Sequence, residues 1–173
     1  MPSERGMSLD IEFDLLSHEV VCRTSHGEIR KIPLRPVSVA QFFEEFNNTL
    51  TSLGVSARID PMPVEVANPI RCDIDTVHCS YDGDAVTRFF HTLRIADTLL
   101  KRFSTNFYGK ISPVHFFWGS FDLAVTRFNG KPVPALPGVD SVQAEAYSHE
   151  VISAGFWPGN GGYDRAADAY ACR

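Results

Sequence analysis

Apolar and polar positions alternate along the first thirty residues and then change period. Ile11, Phe13 and Leu15 interleave with Glu12 and Asp14, the period-two pattern of a half-buried strand. Ser17-His18 reads as a turn into Val20-Val21-Cys22-Arg23-Thr24. His26-Gly27 reads as a turn into Ile29 to Leu34, so residues 9–34 predict a three-stranded meander. Val39, Phe42, Phe43, Phe46, Leu50 and Leu53 then recur at helical spacing. Ser38 and Gln41 form a capping box ahead of that stripe, and Gly54 closes it.

Val55 to Ile59 predicts a further strand, followed by a long loop over residues 60–83. A second helix is expected after Asp84 as N-cap, with Val86, Phe89, Phe90, Leu93, Ala96, Leu100, Phe103 and Phe107 on one face and Gly109 at its end. Arg88, His91, Arg94, Asp97, Lys101 and Arg102 occupy its other face, as a solvated surface would. In SPVHFFWGSFDLAVTRF, Gly119-Ser120 suits a two-residue type II′ hairpin loop. Trp118 then lies opposite Phe121, Phe116 opposite Leu123 and Val114 opposite Val125. A single strand bulged at Gly119-Ser120 is the competing geometry. A Pro/Gly loop, NGKPVPALPGVD, precedes a last strand over residues 147–157. These elements predict an α+β fold, a largely antiparallel sheet packed by two main helices, because the short connections disfavour a parallel sheet. One domain over residues 1–173 is expected, with residues 1–8 and 159–173 flexible.

Composition narrows the functional classes. The net charge of −5, without a basic run, gives no footprint for nucleic acid. Neither a membrane-length apolar stretch nor a leader-like h-region occurs, so no membrane partner and a cytoplasmic location are expected. Cys22, Cys72, Cys79 and Cys172 are then expected as free thiols.

The hairpin carries the candidate chemistry. Its polar face holds His115 and Asp122 as diagonal neighbours, a pairing in which a carboxylate orients an imidazole. His149 and Glu150 on the last strand are further acid–base candidates, though adjacent strand residues point to opposite faces. Phe117, Trp118, Ser120 and Trp157 are the candidate ligand-binding residues. Ser120 and Ser148 are the available nucleophiles, but WGSFD is not a nucleophile elbow. His78, His115 and His149 are metal-ligand types without metal-site spacing, and no phosphate-binding motif is present, so neither metal nor cofactor is expected. Arg127 falls on the apolar face, where a charge needs a partner. Pairing with a carboxylate is the reading preferred over a position beyond the buried face or binding of an anion.

The strings SPVHFFWGSFDLAVTRF and AYSHEVISAGFWPG, with PLRPVSVAQFF and PMPVEV upstream, resemble a bacterial family of unknown function over about Ile11 to Gly159. Members typically carry a further N-terminal segment rich in Trp and His, and end in an aromatic strand where this chain reads NGGYDRAADAYACR. The resemblance implies a natural short form and brings no catalytic assignment. Two functions fit the residues. One is a small-molecule enzyme, hydrolytic in type, using His115 or His149 as base. The other is a non-catalytic domain that binds a small molecule or a protein partner, including a second copy as a homodimer.

Overall fold

The computed structural model describes residues 6–64, 68–134, 137–139 and 141–159. The chain divides into two compact units, Met1–Phe90 and His91–Arg173. The α+β class holds, but the strands form two antiparallel sheets rather than one. Cys172, the NGGYDRAADAYACR segment and part of PMPVEV lie outside the described residues.

In the first unit, β1 (Leu9–Asp14), β2 (Glu19–Thr24) and β3 (Ile29–Pro33) form the expected meander in the order β1-β2-β3. Leu9, Val20, Cys22 and Ile32 make its buried face, against which Leu50 of α1 (Val39–Ser52) and its C-cap Leu53 pack. Burial raises the pKa of the Cys22 thiol. The outward face carries cross-strand ion pairs, Arg23 with Glu12 and Asp10, and Lys31 with Glu19. Leu15 belongs to the first turn rather than to β1. The reversal takes four residues, Leu15–His18, between the paired Asp14 and Glu19. The Asp14 carboxylate accepts the N–H groups of Leu16 and Ser17, and His18 closes the turn at φ 55°.

Helix α1 is capped at both ends. Ser38 Oγ accepts the Gln41 N–H, as the sequence predicts. The N–H groups of Val39 and Ala40 donate to the carbonyls of His78 and Asp75, so the long loop supplies acceptors that the helix lacks. At the other end the Val55 N–H donates to the Leu50 carbonyl and the Gly54 N–H to that of Thr51, with Gly54 at φ 70°. That is a Schellman motif, and only a residue at ease at positive φ completes it cheaply. The strand expected over 55–59 does not form. Beyond Val55 these residues are exposed and have no partner strand, so nothing offsets the cost of ordering them.

Helix α2 (Gly83–Thr105) begins two residues earlier than expected and ends before the expected Phe107 and Gly109. Asp82, not Asp84, is the cap, since its Oδ1 accepts the Ala85 N–H at 3.0 Å. The boundary between the units falls within this helix. Among the described residues no helix is long and apolar enough to cross a membrane.

In the second unit, β4 (Lys110–Ile111), β5 (His115–Phe117), β6 (Asp122–Pro132) and β7 (His149–Phe156) form a sheet centred on β6. A short helix, α3 (Ser141–Ala146), which the hydrophobic pattern does not predict, leads into β7. Leu123 and Val125 pack on Ala96 and Leu100 of α2. Strand β6 runs to Pro132, through the first third of the expected Pro/Gly loop. It carries two more residues than β7 between the Phe128–Val151 and Pro132–His149 pairs, a bulge with Gly130 at φ 83°.

Candidate functional site

The hairpin register is the one the pattern predicts: His115 pairs with Ala124, Phe116 with Leu123 and Phe117 with Asp122. The bulged single strand is thereby excluded. His115 and Asp122 do share a face as diagonal neighbours. The turn, however, is not a two-residue type II′ loop. It takes four residues, Trp118–Phe121, and the left-handed residue is Phe121 at φ 58° rather than Gly119. Four-residue hairpin loops built around a type I turn place such a conformation last.

Trp118 is 60% exposed, Phe121 49% and Phe117 46%. The rings form one edge-to-face cluster: Phe116 lies 5.2 Å from Trp118 and 5.4 Å from Phe121, and Trp118 lies 6.1 Å from Phe121. On the opposite face of β5, His115 meets the Phe117 ring edge-on at 4.5 Å. Asp122 is buried beneath the turn. Ser120 is exposed within the turn. Half-buried Trp157 follows Phe156, which pairs with Leu123, so it lies at the same end of the sheet.

His149 and Glu150 lie elsewhere. His149 pairs with Pro132, eight residues along β6 from Ala124, the partner of His115. At about 3.3 Å per residue that is roughly 26 Å. Glu150 accepts a hydrogen bond from Asn129 Nδ2 and lies 3.9 Å from Lys131 Nζ, while the Lys131 N–H donates to Asn129 Oδ1. It thus fixes the β6 bulge. Ser148 Oγ donates to the Glu145 carbonyl at 2.7 Å, so its single proton is committed. His149 Nδ1, 2.9 Å away, must then donate to that oxygen rather than withdraw a proton from it. This is the reverse of a general base poised on a nucleophile. The structure therefore gathers His115, Asp122, Phe117, Trp118, Ser120 and Trp157 at one end of the sheet. His149 and Glu150 stand apart at the other.

This chain belongs to a family of unknown function, DUF5996. The match covers residues 1–172, beyond the Ile11–Gly159 span of the motifs, and it includes the C-terminal segment that departs from the aromatic ending. Neither curated proteins nor solved structures give a match. Family membership assigns no residue a role, so the geometry of the site has to carry the functional argument.

Among the described residues no three His, Cys, Asp or Glu side chains gather closely enough to hold a metal ion. Cys22, Cys72 and Cys79 are free thiols. His78, another candidate ligand, is occupied by Asp75: Nδ1 meets Oδ2 at 2.7 Å. A shallow concavity of about 460 Å³ runs along α1, bordered by Gln41, Phe43, Glu44, Asn47, Asn48 and Asp73. None of the expected site residues borders it. Sequence reasoning missed Phe121 as the left-handed residue. The available signal was the density of aromatics around Gly119-Ser120, in a place where turn chemistry calls for small polar residues.

Arg127 departs from its expected ion pair. It shares a face with Leu123 and Val125, but its guanidinium carbon lies 3.7 Å from the Phe103 ring centroid and 5.3 Å from that of Phe107. Among the described residues, aromatic faces rather than a carboxylate receive the charge.

Proposed function

We propose that this protein is a non-catalytic interaction domain that inserts the aromatic tip of the β5–β6 hairpin into an apolar pocket on a partner protein. One observation carries the reading: Phe121 holds a left-handed backbone conformation with its ring half exposed, beside a more exposed Trp118. A bulky residue at positive φ costs about 1–2 kcal/mol, and burial of its ring offsets that cost only in part. Such strain persists where the displayed side chain has a use.

Tryptophan and its aromatic neighbours are the residues on which interface energy concentrates. The tip is also the right size for an anchor. Three half-exposed aromatics offer roughly 300 Å², against about 800 Å² per partner for a stable flat interface. A pair of tips meeting each other would fall short of a lasting homodimer, whereas a concave pocket would wrap the same rings completely. The separation of His115 and Asp122 from His149 and Glu150 weighs against the hydrolytic reading.

Photo-crosslinking amino acids placed at Phe121, and at the equally exposed Ile29 as control, test the proposal in the native host. A single protein adduct specific to position 121 is expected. The purified partner should then bind wild type with an affinity that Trp118→Ala weakens by about 30-fold or more, the scale of an interface hot spot. Adducts with a second copy of the chain alone, or none, would overturn the proposal. So would a hydrolytic activity abolished by His115→Ala or His149→Ala.

A further inference from the structure

Arg23, Arg35 and Arg71 each face a carboxylate on their own chain. Arg127 is different. It is half-buried on the covered face of the second sheet, between Ile111 of β4 and Ile152 of β7, its register partners. Its Nε is inaccessible and has no hydrogen-bond acceptor among the described residues. Among the described residues no carboxylate lies within ion-pair distance of it. Its stacking partners are the rings of Phe103 and Phe107. The seat of Phe107 depends on Gly109, where a Cβ would stand 2.5 Å from the ring's Cζ.

A ring across its face leaves a guanidinium its terminal amino groups. These present a planar pair of donors whose spacing matches the two oxygens of a carboxylate. A partly desolvated cation with no counter-charge among the described residues favours an anion from outside. The neighbourhood also selects the kind of anion. Ile152 is 53% exposed directly across from Arg127, and Ile111 and the two Phe rings complete an apolar surround. A strongly hydrated anion such as phosphate would lose more solvation there than one oxygen pair returns.

We infer that Arg127, backed by Phe103 and Phe107 and flanked by Ile152, binds a carboxylate that carries an apolar group. The inference is independent of the aromatic tip.

Phenylbutyrate, acetate and inorganic phosphate, titrated at constant ionic strength into the full chain, provide the test by NMR. Phenylbutyrate should shift the Arg127 Nε–Hε resonance and the Phe103 and Phe107 ring signals saturably, with a Kd on the order of 1 mM. Acetate and phosphate should each bind about tenfold more weakly or worse. Ile152→Ser, an exposed change that leaves the core intact, should weaken phenylbutyrate and leave acetate unaltered. Arg127→Lys keeps the charge and removes the planar fork, and should weaken all carboxylates. Absence of a saturable Arg127 shift in wild type would overturn the inference without recourse to any variant. Phosphate binding as tightly as phenylbutyrate, or indifference to Ile152→Ser, would also overturn it.

Discussion

The molecule contains two hairpins that reverse in the same way and are furnished in opposite ways. Leu15–His18 and Trp118–Phe121 are both four-residue turns that end on a left-handed residue. In the first, Asp14 ties two backbone N–H groups. Its left-handed position is held by His18, a residue type enriched there, whose Nδ1 lies 2.8 Å from the Tyr81 hydroxyl and whose ring packs against Gly83. In the second, the left-handed position falls to a phenylalanine, and the turn displays aromatic rings to solvent. The first hairpin satisfies each local rule of turn chemistry, and the second breaks several at once. Departures of that kind mark places where something other than stability has been served.

The same contrast extends to the two units. In the first, outward charges on the sheet are paired across strands, and a loop docks its carbonyls on the N-terminus of α1. In the second, an arginine occupies a core-face position with no carboxylate among the described residues within ion-pair distance.

The contrast is broken most severely by emptying the first unit's core. Leu50→Ala empties a buried core position, where the side chain is 4% exposed, and should cost about 2–5 kcal/mol by urea denaturation. A loss below about 1 kcal/mol would mean that α1 is not what stabilises the meander. Gly109→Ala in the second unit should cost on the order of 1–3 kcal/mol, because its Cβ displaces the Phe107 ring from beside Arg127. If thermal melts show no change, the Phe107 seat is not constrained.

Acid probes the loop that caps α1. The His78 N–H holds the Asp75 carboxyl below the usual carboxylate range, helped by the His78 side chain and the Val77 N–H, although burial opposes this. A carboxylate with a lowered folded-state pKa contributes stability above its unfolded value of about 4, and loses it as pH falls through the folded value. Wild type should therefore lose more stability than Asp75→Asn between about pH 5 and pH 2. Parallel pH profiles for the two proteins would remove Asp75 from the account.

The smallest effect on stability should come from the tip itself. Phe121→Gly relieves about 1 kcal/mol of backbone strain and gives up edge-to-face contacts worth about as much. The melting temperature should hardly move, while partner binding falls. A large destabilisation would make the ring a structural element after all.

Much of this was legible in the chain. Period-two alternation located the meander because one face of each strand is buried and the other is wet. The apolar face of the 112–128 hairpin was enough to set its register, since a slip of one residue would turn Phe116, Leu123 and Val125 outward. Ser38 and Gly54 announced the ends of α1, because capping is chemistry between near neighbours in sequence. The α3 turn, the Asp82 cap and the Gly130 bulge were not legible in this way. Each is set by a few local hydrogen bonds that several sequences would satisfy equally well.

The candidate site divides along the same line. Sequence by itself determined that His115 and Asp122 share a face, because that depends only on strand period and register. Tertiary structure alone decided that His149 and Glu150 lie at the far end of β6, since the offset of β7 is fixed by long-range pairing and a bulge. It also decided that Arg127 meets aromatic rings instead of a carboxylate. Periodicity tells which face a side chain takes, and only the packing of distant segments decides what waits there.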